Sequence, residues 1–275
     1  MDLSNRERKW ASNIKAAAQA AEDIDTSMIP DMDFALYAFV DHNNVAQALD
    51  RIRGIQTFRE LYQLDDSVDQ AIEILRAFVK KQPGHCLDID TSPDTQEGII
   101  ILDLASFQVD RVFASSPADC ARTSRNWEIH VVAIYYLMRA LQPCLESARE
   151  GTYMILECEG FQAASQLARF AICLNDELCA HFAYFFKKIQ CYHTGCFANL
   201  FFSMLKSVTR NKDWDLLQLG CRIEDEFDSV NVAATTHTLR ELYLQPSVEE
   251  AHKHFLKRVG ELLAQRRSNA LAFRL

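Results

Sequence analysis

From Val68 to Val79 the residues Val68, Ala71, Ile72, Leu75, Phe78 and Val79 recur at the three-and-four spacing that lines up one face of a helix. Asp65 and Asp66 stand before this run as candidate N-cap oxygens, and Pro83-Gly84 ends it. Upstream, Asn5 to Ala21 reads as an Ala-rich helix, and Pro30 separates it from a second helical segment over Asp33 to Asp41. A turn at His42-Asn43-Asn44 leads into Val45 to Arg53, with Ala48, Leu49 and Ile52 as its apolar side. Residues 1–82 therefore predict a small helical subdomain.

After Gly84 the period changes. Ile99 to Leu104, Thr152 to Glu157, Lys188 to Tyr192 and, more weakly, Leu216 to Leu219 are short apolar runs with β-branched residues, as expected of strands covered on both faces. Helical patterns of ten or more residues separate most of them, so residues 83–275 predict an α/β domain with a mostly parallel sheet flanked by helices. Ser116-Pro117 reads as a helix start. Ser247-Val248-Glu249-Glu250 has the form of a capping box opening a last helix, with Ala251, Phe255, Val259 and Leu262 as its stripe.

Composition narrows the class. The 275 residues are 49% hydrophobic and 24% charged, and the net charge of -9 disfavours nucleic acid, which needs clustered Lys and Arg to displace counterions. Met1 to Lys15 lacks the apolar centre of a signal peptide, and no apolar run reaches the ~18 residues of a membrane span, so a cytoplasmic protein is expected. The nine cysteines are an odd number without a CxxC pair and read as reduced core thiols. Cys191, His193 and Cys196 cluster locally, but a closed zinc site needs four ligands and no second pair stands at matching spacing. Neither a GxSxG elbow nor a glycine-rich phosphate loop occurs among the eight glycines, so no catalytic residue, metal or cofactor is assigned.

Two apolar stripes remain to be explained. Trp127, Val131, Ile134, Met138, Leu141 and Leu145 share one helix face, and Leu167, Phe170, Leu174, Leu178 and Phe182 share another. Such stripes are core more often than cavity. Aromatic residues crowd beyond them, however, at Tyr184, Phe185, Phe186, Phe197, Phe201 and Phe202.

Arg149-Glu150-Gly151 followed by Met154-Ile155-Leu156-Glu157-Cys158-Glu159-Gly160-Phe161-Gln162 is similar to the glycine, strand and Glu-Gly-aromatic corner of the CRAL-TRIO lipid-binding family. The strand ending Tyr192-His193-Thr194 follows in order, and Phe197 to Lys206 resembles that family's mobile gate helix. Asp33 to Val40, Val45 to Leu49 and Phe58-Arg59 resemble its N-terminal helical bundle. The resemblance implies a mostly parallel mixed sheet flanked by helices, with a gated apolar pocket that carries a hydrophobic small molecule between membranes. Phe182-Ala183-Tyr184-Phe185 lacks the basic residue with which the family's inositol-lipid binders hold a phosphate, and a charge-assisted partner of that kind contributes ~1.5–3 kcal/mol.

The expected function is thus non-enzymatic binding and transfer of an isoprenoid-like lipid such as a tocopherol, retinoid or carotenoid, by a monomer. Its pocket walls are assigned to Val131, Ile134, Tyr135, Met138, Leu156, Leu174, Leu178, Phe182, Phe186 and Ile189, with Phe197, Phe201 and Phe202 on the gate. His130, Tyr135 and Tyr136 are the candidate polar anchors. Lys187, Lys188, Lys206, Arg210 and Lys212 form the candidate surface for transient contact with an anionic membrane, at about 1 kcal/mol per residue. Phospholipid or phosphoinositide exchange, and a protein-interaction module with a filled pocket, are the alternatives.

Overall fold

The computed structural model describes residues 3–65, 67–82, 87–91, 97–105, 107, 125–158, 173–183, 186–192, 217–221 and 247–275. Four helices come first: α1 (Asn5–Ala20), α2 (Asp31–Asp41), α3 (Val45–Leu61) and α4 (Val68–Val79). Ser4 caps α1 in a capping box, its Oγ accepting from the Glu7 amide while the Glu7 carboxylate accepts from the Ser4 amide. Ser67, rather than Asp65 or Asp66, caps α4 by accepting from the Gln70 amide at 3.0 Å. Asp65 instead holds the Ser67 amide at 2.7 Å. The helix expected to stop at Arg53 continues to Leu61, because Gly54 is tolerated inside it where His181 lies close: a Cβ there would stand 2.2 Å from the His181 ring.

The sheet has five strands in chain order: β1 (Leu87–Thr91), β2 (Gly98–Asp103), β3 (Thr152–Glu157), β4 (Phe186–Tyr192) and β5 (Leu217–Cys221). β1 pairs antiparallel with β2, and every later pair is parallel. The fold is therefore α/β with a mixed sheet. The antiparallel edge strand was not foreseen, because Leu87-Asp88-Ile89-Asp90-Thr91 is short and half polar; only its alternation marks it, with Leu87 and Ile89 on the face turned to the helices.

α5 (Arg125–Ala140) and α6 (Leu145–Glu150) lie between β2 and β3, and α7 (Val248–Ala272) closes the described chain. Ser247 caps α7, accepting from the Glu250 amide at 3.2 Å. Gly151 ends α6 with φ 81°, a left-handed conformation that glycine adopts without strain, and so turns the chain directly into β3.

Burial divides the interior into clusters. The largest joins Leu75 and Phe78 of α4, Val131 and Leu137 of α5, Phe255 and Val259 of α7, and Leu87 and Ile89 of β1. A second joins α1, α2 and α3 to Leu145, Ala148 and Ala183. A third, Ile99, Ile101, Ile155 and Tyr192, lies on the opposite face of the sheet.

Candidate functional site

Strand register decides which residues face α5. Ile89 pairs with Ile100, Ile100 with Met154, and Met154 with Ile189, so these side chains stand in a row across one face. Leu87, Leu102, Leu156 and Cys191 form a parallel row one step further along. Leu87, Ile89, Leu156 and Cys191 are buried, whereas Ile100, Leu102, Met154 and Ile189 are only half-buried. On the reverse face Ile99, Ile101 and Ile155 are only 4%, 1% and 1% exposed. Aliphatic side chains at the centre of a sheet normally lose nearly all contact with solvent. A partly open apolar floor on the helix side is the departure from that expectation.

Two further half-buried side chains border the same core as Ile100 and Leu102. Ile134 of α5 and Leu174 are half-buried, and both pack at the edge of the large core that holds Val131 and Met138. Leu174 leads into a single π-helical turn, Asn175–Cys179, a widened geometry often found where a helix is adapted to a site. Glu177 in that turn accepts from Trp127 Nε1 of α5 at 2.9 Å and from the Tyr62 hydroxyl at the end of α3. Burial, together with the Glu177 carboxylate, pushes the Tyr62 phenol above its ordinary value. Cys179 is held as a neutral thiol, burial pushing it up to about 12. Arg51 Nη1 donates to the Ala180 carbonyl at 2.6 Å and Gln142 Nε2 to that of Ala183 at 2.7 Å, which fixes the rest of the segment.

The residues named from sequence fall into distinct groups. Val131, Met138 and Leu178 are buried in the large core, Ile134 and Leu174 pack at its edge, and Leu156 and Ile189 stand on the sheet face that carries Ile100 and Leu102. Tyr135 and Phe182 meet on another flank of α5, their rings 5.9 Å apart and perpendicular, and Phe58 of α3 packs on Tyr135 at 5.5 Å. The Tyr136 hydroxyl donates to Gln70 Oε1 at 2.5 Å, with the Asp65 carbonyl 3.1 Å away, at the start of α4. His130 stands edge-on to Phe78 and Phe107, with Gln82 Nε2 3.3 Å from its Nε2. Of the three polar anchors, His130 and Tyr136 thus meet polar partners within the protein, whereas the contacts given for Tyr135 are made by its ring. Lys187 Nζ donates to the buried Glu97 carboxylate and lies 3.7 Å from that of Glu150. The hydrogen bond to Glu97 holds the Lys187 ammonium above its ordinary value. Phe197, Phe201, Phe202, Lys206, Arg210 and Lys212 lie outside the described residues, as do the side chains of Phe186 and Lys188.

Ile100, Leu102 and Met154 were missed as floor residues. Period-two counting back from Leu156 reaches Met154, and the same counting along β2 would have found the other two once its register to β3 was known.

A separate cavity of about 260 Å³ opens between α2, α3 and the end of α5. Leu36, Ile52, Ile55, Leu64 and Phe182 supply apolar walls, and Asp33, Arg139 and Arg266 close one end. Burial would raise the Asp33 carboxyl, but Arg139 and Arg266 outweigh it and hold it below the usual carboxylate range. Nothing in the sequence spacing connects these three residues.

Fold and site together define an α/β protein with a mixed sheet, one face of which carries several half-buried aliphatic side chains. No family model and no curated protein matches the chain. Among the described residues no group of three His, Cys, Asp or Glu side chains is placed to hold a metal ion. Nor, among them, is any helix long and apolar enough to cross a membrane.

Proposed function

We propose that this protein is a cytoplasmic, non-enzymatic carrier of the CRAL-TRIO type, binding an isoprenoid-like lipid between its sheet and α5 and releasing it at an anionic membrane surface. The observation that carries the reading is the group of half-buried aliphatic side chains on one sheet face, Ile100, Leu102, Met154 and Ile189, with half-buried Ile134 and Leu174 at the edge of the core that Ile100 and Leu102 also border. An ordinary core would have closed over these positions. At ~25 cal/mol per Å², a cargo burying a few hundred Å² of apolar surface there gains on the order of 10 kcal/mol before ordering costs, enough for submicromolar affinity. Among the described residues no charged side chain stands in the two rows of the floor, which favours a cargo that is neutral over the part the floor covers.

Native mass spectrometry of protein purified from its own source tests the reading directly. A co-purifying neutral lipid, extractable into solvent, is the expected result. Absence of adduct together with no uptake of a hydrophobic fluorophore would leave a protein whose interior is filled, and the carrier reading would be wrong. For membrane contact, changing Lys187, Lys188 and Lys206 together to Glu is expected to weaken binding to anionic vesicles.

A further inference from the structure

A larger cavity, of about 590 Å³, lies on the other side of the Asp33 ion pairs, where α7 passes the start of α4 and the turn before α2. Its chemistry differs from that of the floor. Lys15, Arg139, Arg266, Arg267 and Arg274 all border it. Against them stand two carboxylates: Asp31, 2.6 Å from Lys15 Nζ, and Asp33, which takes Arg139 and Arg266 together. Lys15 is thus paired, and Arg139 and Arg266 share one carboxylate, while Arg267 and Arg274 stand exposed at the same cavity in a chain whose net charge is -9. Arg267 is exposed and, among the described residues, has no ion-pair partner.

The same cavity has an apolar rim. Met28 and Leu271, at 55% and 66% exposed, are two of the large hydrophobic side chains left open to solvent, and both border it. Cations concentrated at one place beside exposed aliphatic surface match a ligand that is itself divided into an anionic head and an aliphatic body. At about 30 Å³ per water-sized group, the space takes roughly twenty heavy atoms.

We infer that this cavity is a second binding site, for a small amphipathic anion with a phosphate head on an aliphatic chain. The ligand comes either free from solution or as the head of a lipid in a membrane surface. Arg267 and Arg274 hold the head, while Met28 and Leu271 cover the first carbons of the chain. The site is independent of the carrier pocket and does not share its floor residues.

Isothermal titration of the full chain with decyl phosphate tests the soluble source. Vesicles of phosphatidylcholine with and without phosphatidate test the lipid source. Decyl phosphate is expected to bind about tenfold or more tightly than decanol or inorganic phosphate, because each control lacks one half of the complementarity. Arg267→Glu with Arg274→Glu is expected to weaken whichever arm binds by about tenfold or more, while Arg267→Lys with Arg274→Lys retains most of it. Loss confined to the decyl phosphate arm assigns a soluble ligand, and loss in the phosphatidate arm assigns a lipid head. Both arginines are exposed, so a folded double variant is expected, with circular dichroism as the check. Binding in neither arm, or binding that the charge reversal leaves unchanged, overturns the inference. Ile100→Trp, which blocks the floor, is expected to leave this binding unaltered, so the two sites fail separately.

Discussion

Asp33 and Arg266 are joined by a hydrogen-bonded ion pair although 233 positions separate them in the chain. Arg139 Nη1 reaches the other oxygen of the same carboxylate at 2.7 Å, so one acidic residue of α2 ties α5 and α7 to the N-terminal helices. Arg266 also donates to the Gln142 carbonyl at 2.5 Å. Asp33, Gln142 and Arg266 are buried and Arg139 partly so, in surroundings where a charge is tolerated only if it is paired.

Asp33→Asn is expected to destabilise the protein by about 3–5 kcal/mol, because two guanidinium groups then share a buried site without their carboxylate. Urea denaturation measures it. The sign with pH follows from the depressed carboxyl: its contribution is fully present above about pH 4, where the unfolded aspartate is ionised, and is lost as pH falls through the lower folded value. Wild-type stability should therefore fall across that acid window more steeply than that of Asp33→Asn.

Glu177→Ala is expected to cost about 1–3 kcal/mol, since it removes the carboxylate that accepts from Trp127 Nε1, in a fully buried ring, and from the Tyr62 hydroxyl. The tryptophan environment should change with it, which near-ultraviolet circular dichroism reads. A variant as stable as wild type would show that the π-helical turn is held by its apolar contacts alone.

Gly54→Ala places a methyl group 2.2 Å from the His181 ring carbon and 2.8 Å from its Cβ, so the 178–183 segment has to shift away from α3. The expected cost is about 1–3 kcal/mol, typical of overpacking. Combining it with His181→Ala should recover most of the loss, and a thermodynamic cycle of the two substitutions measures the coupling.

Ile100→Trp is expected to fill the space over the floor. Uptake of a hydrophobic fluorophore should fall about tenfold or more, on the scale of the few hundred Å² of contact removed, while melting temperature changes little. Strong destabilisation with unchanged uptake would instead identify Ile100 as an ordinary core residue.

Much of the frame was legible in the residues. Short apolar runs with β-branched residues marked β2, β3, β4 and, more weakly, β5, and three-and-four spacing marked α4, α5 and α7, because each pattern reflects contacts that every element makes along its own length. Ser247 marked the start of α7 for the same local reason. β1 was passed over because five residues with alternating acids carry too little apolar signal until a partner strand is known. The anchoring tyrosines show the same limit at the site. Tyr135 is one residue from Ile134, which turns it about 100° around the helix, and only packing shows that this rotation carries it to Phe58 and away from the sheet.

The sequence by itself determined the alternation of strands and helices, the apolar stripe of α5, and the acidic, glycine-poor composition in which no catalytic motif was found. Tertiary structure alone decided that Asp33 meets Arg139 and Arg266, that basic residues from α1, α5 and α7 gather at one cavity, and that the centre of the helix-facing sheet surface stays partly open. The physical reason is range: periodicity records what a segment does with its nearest neighbours along the chain. Charge pairing and unfilled space depend on which distant segments the fold brings within a few ångströms.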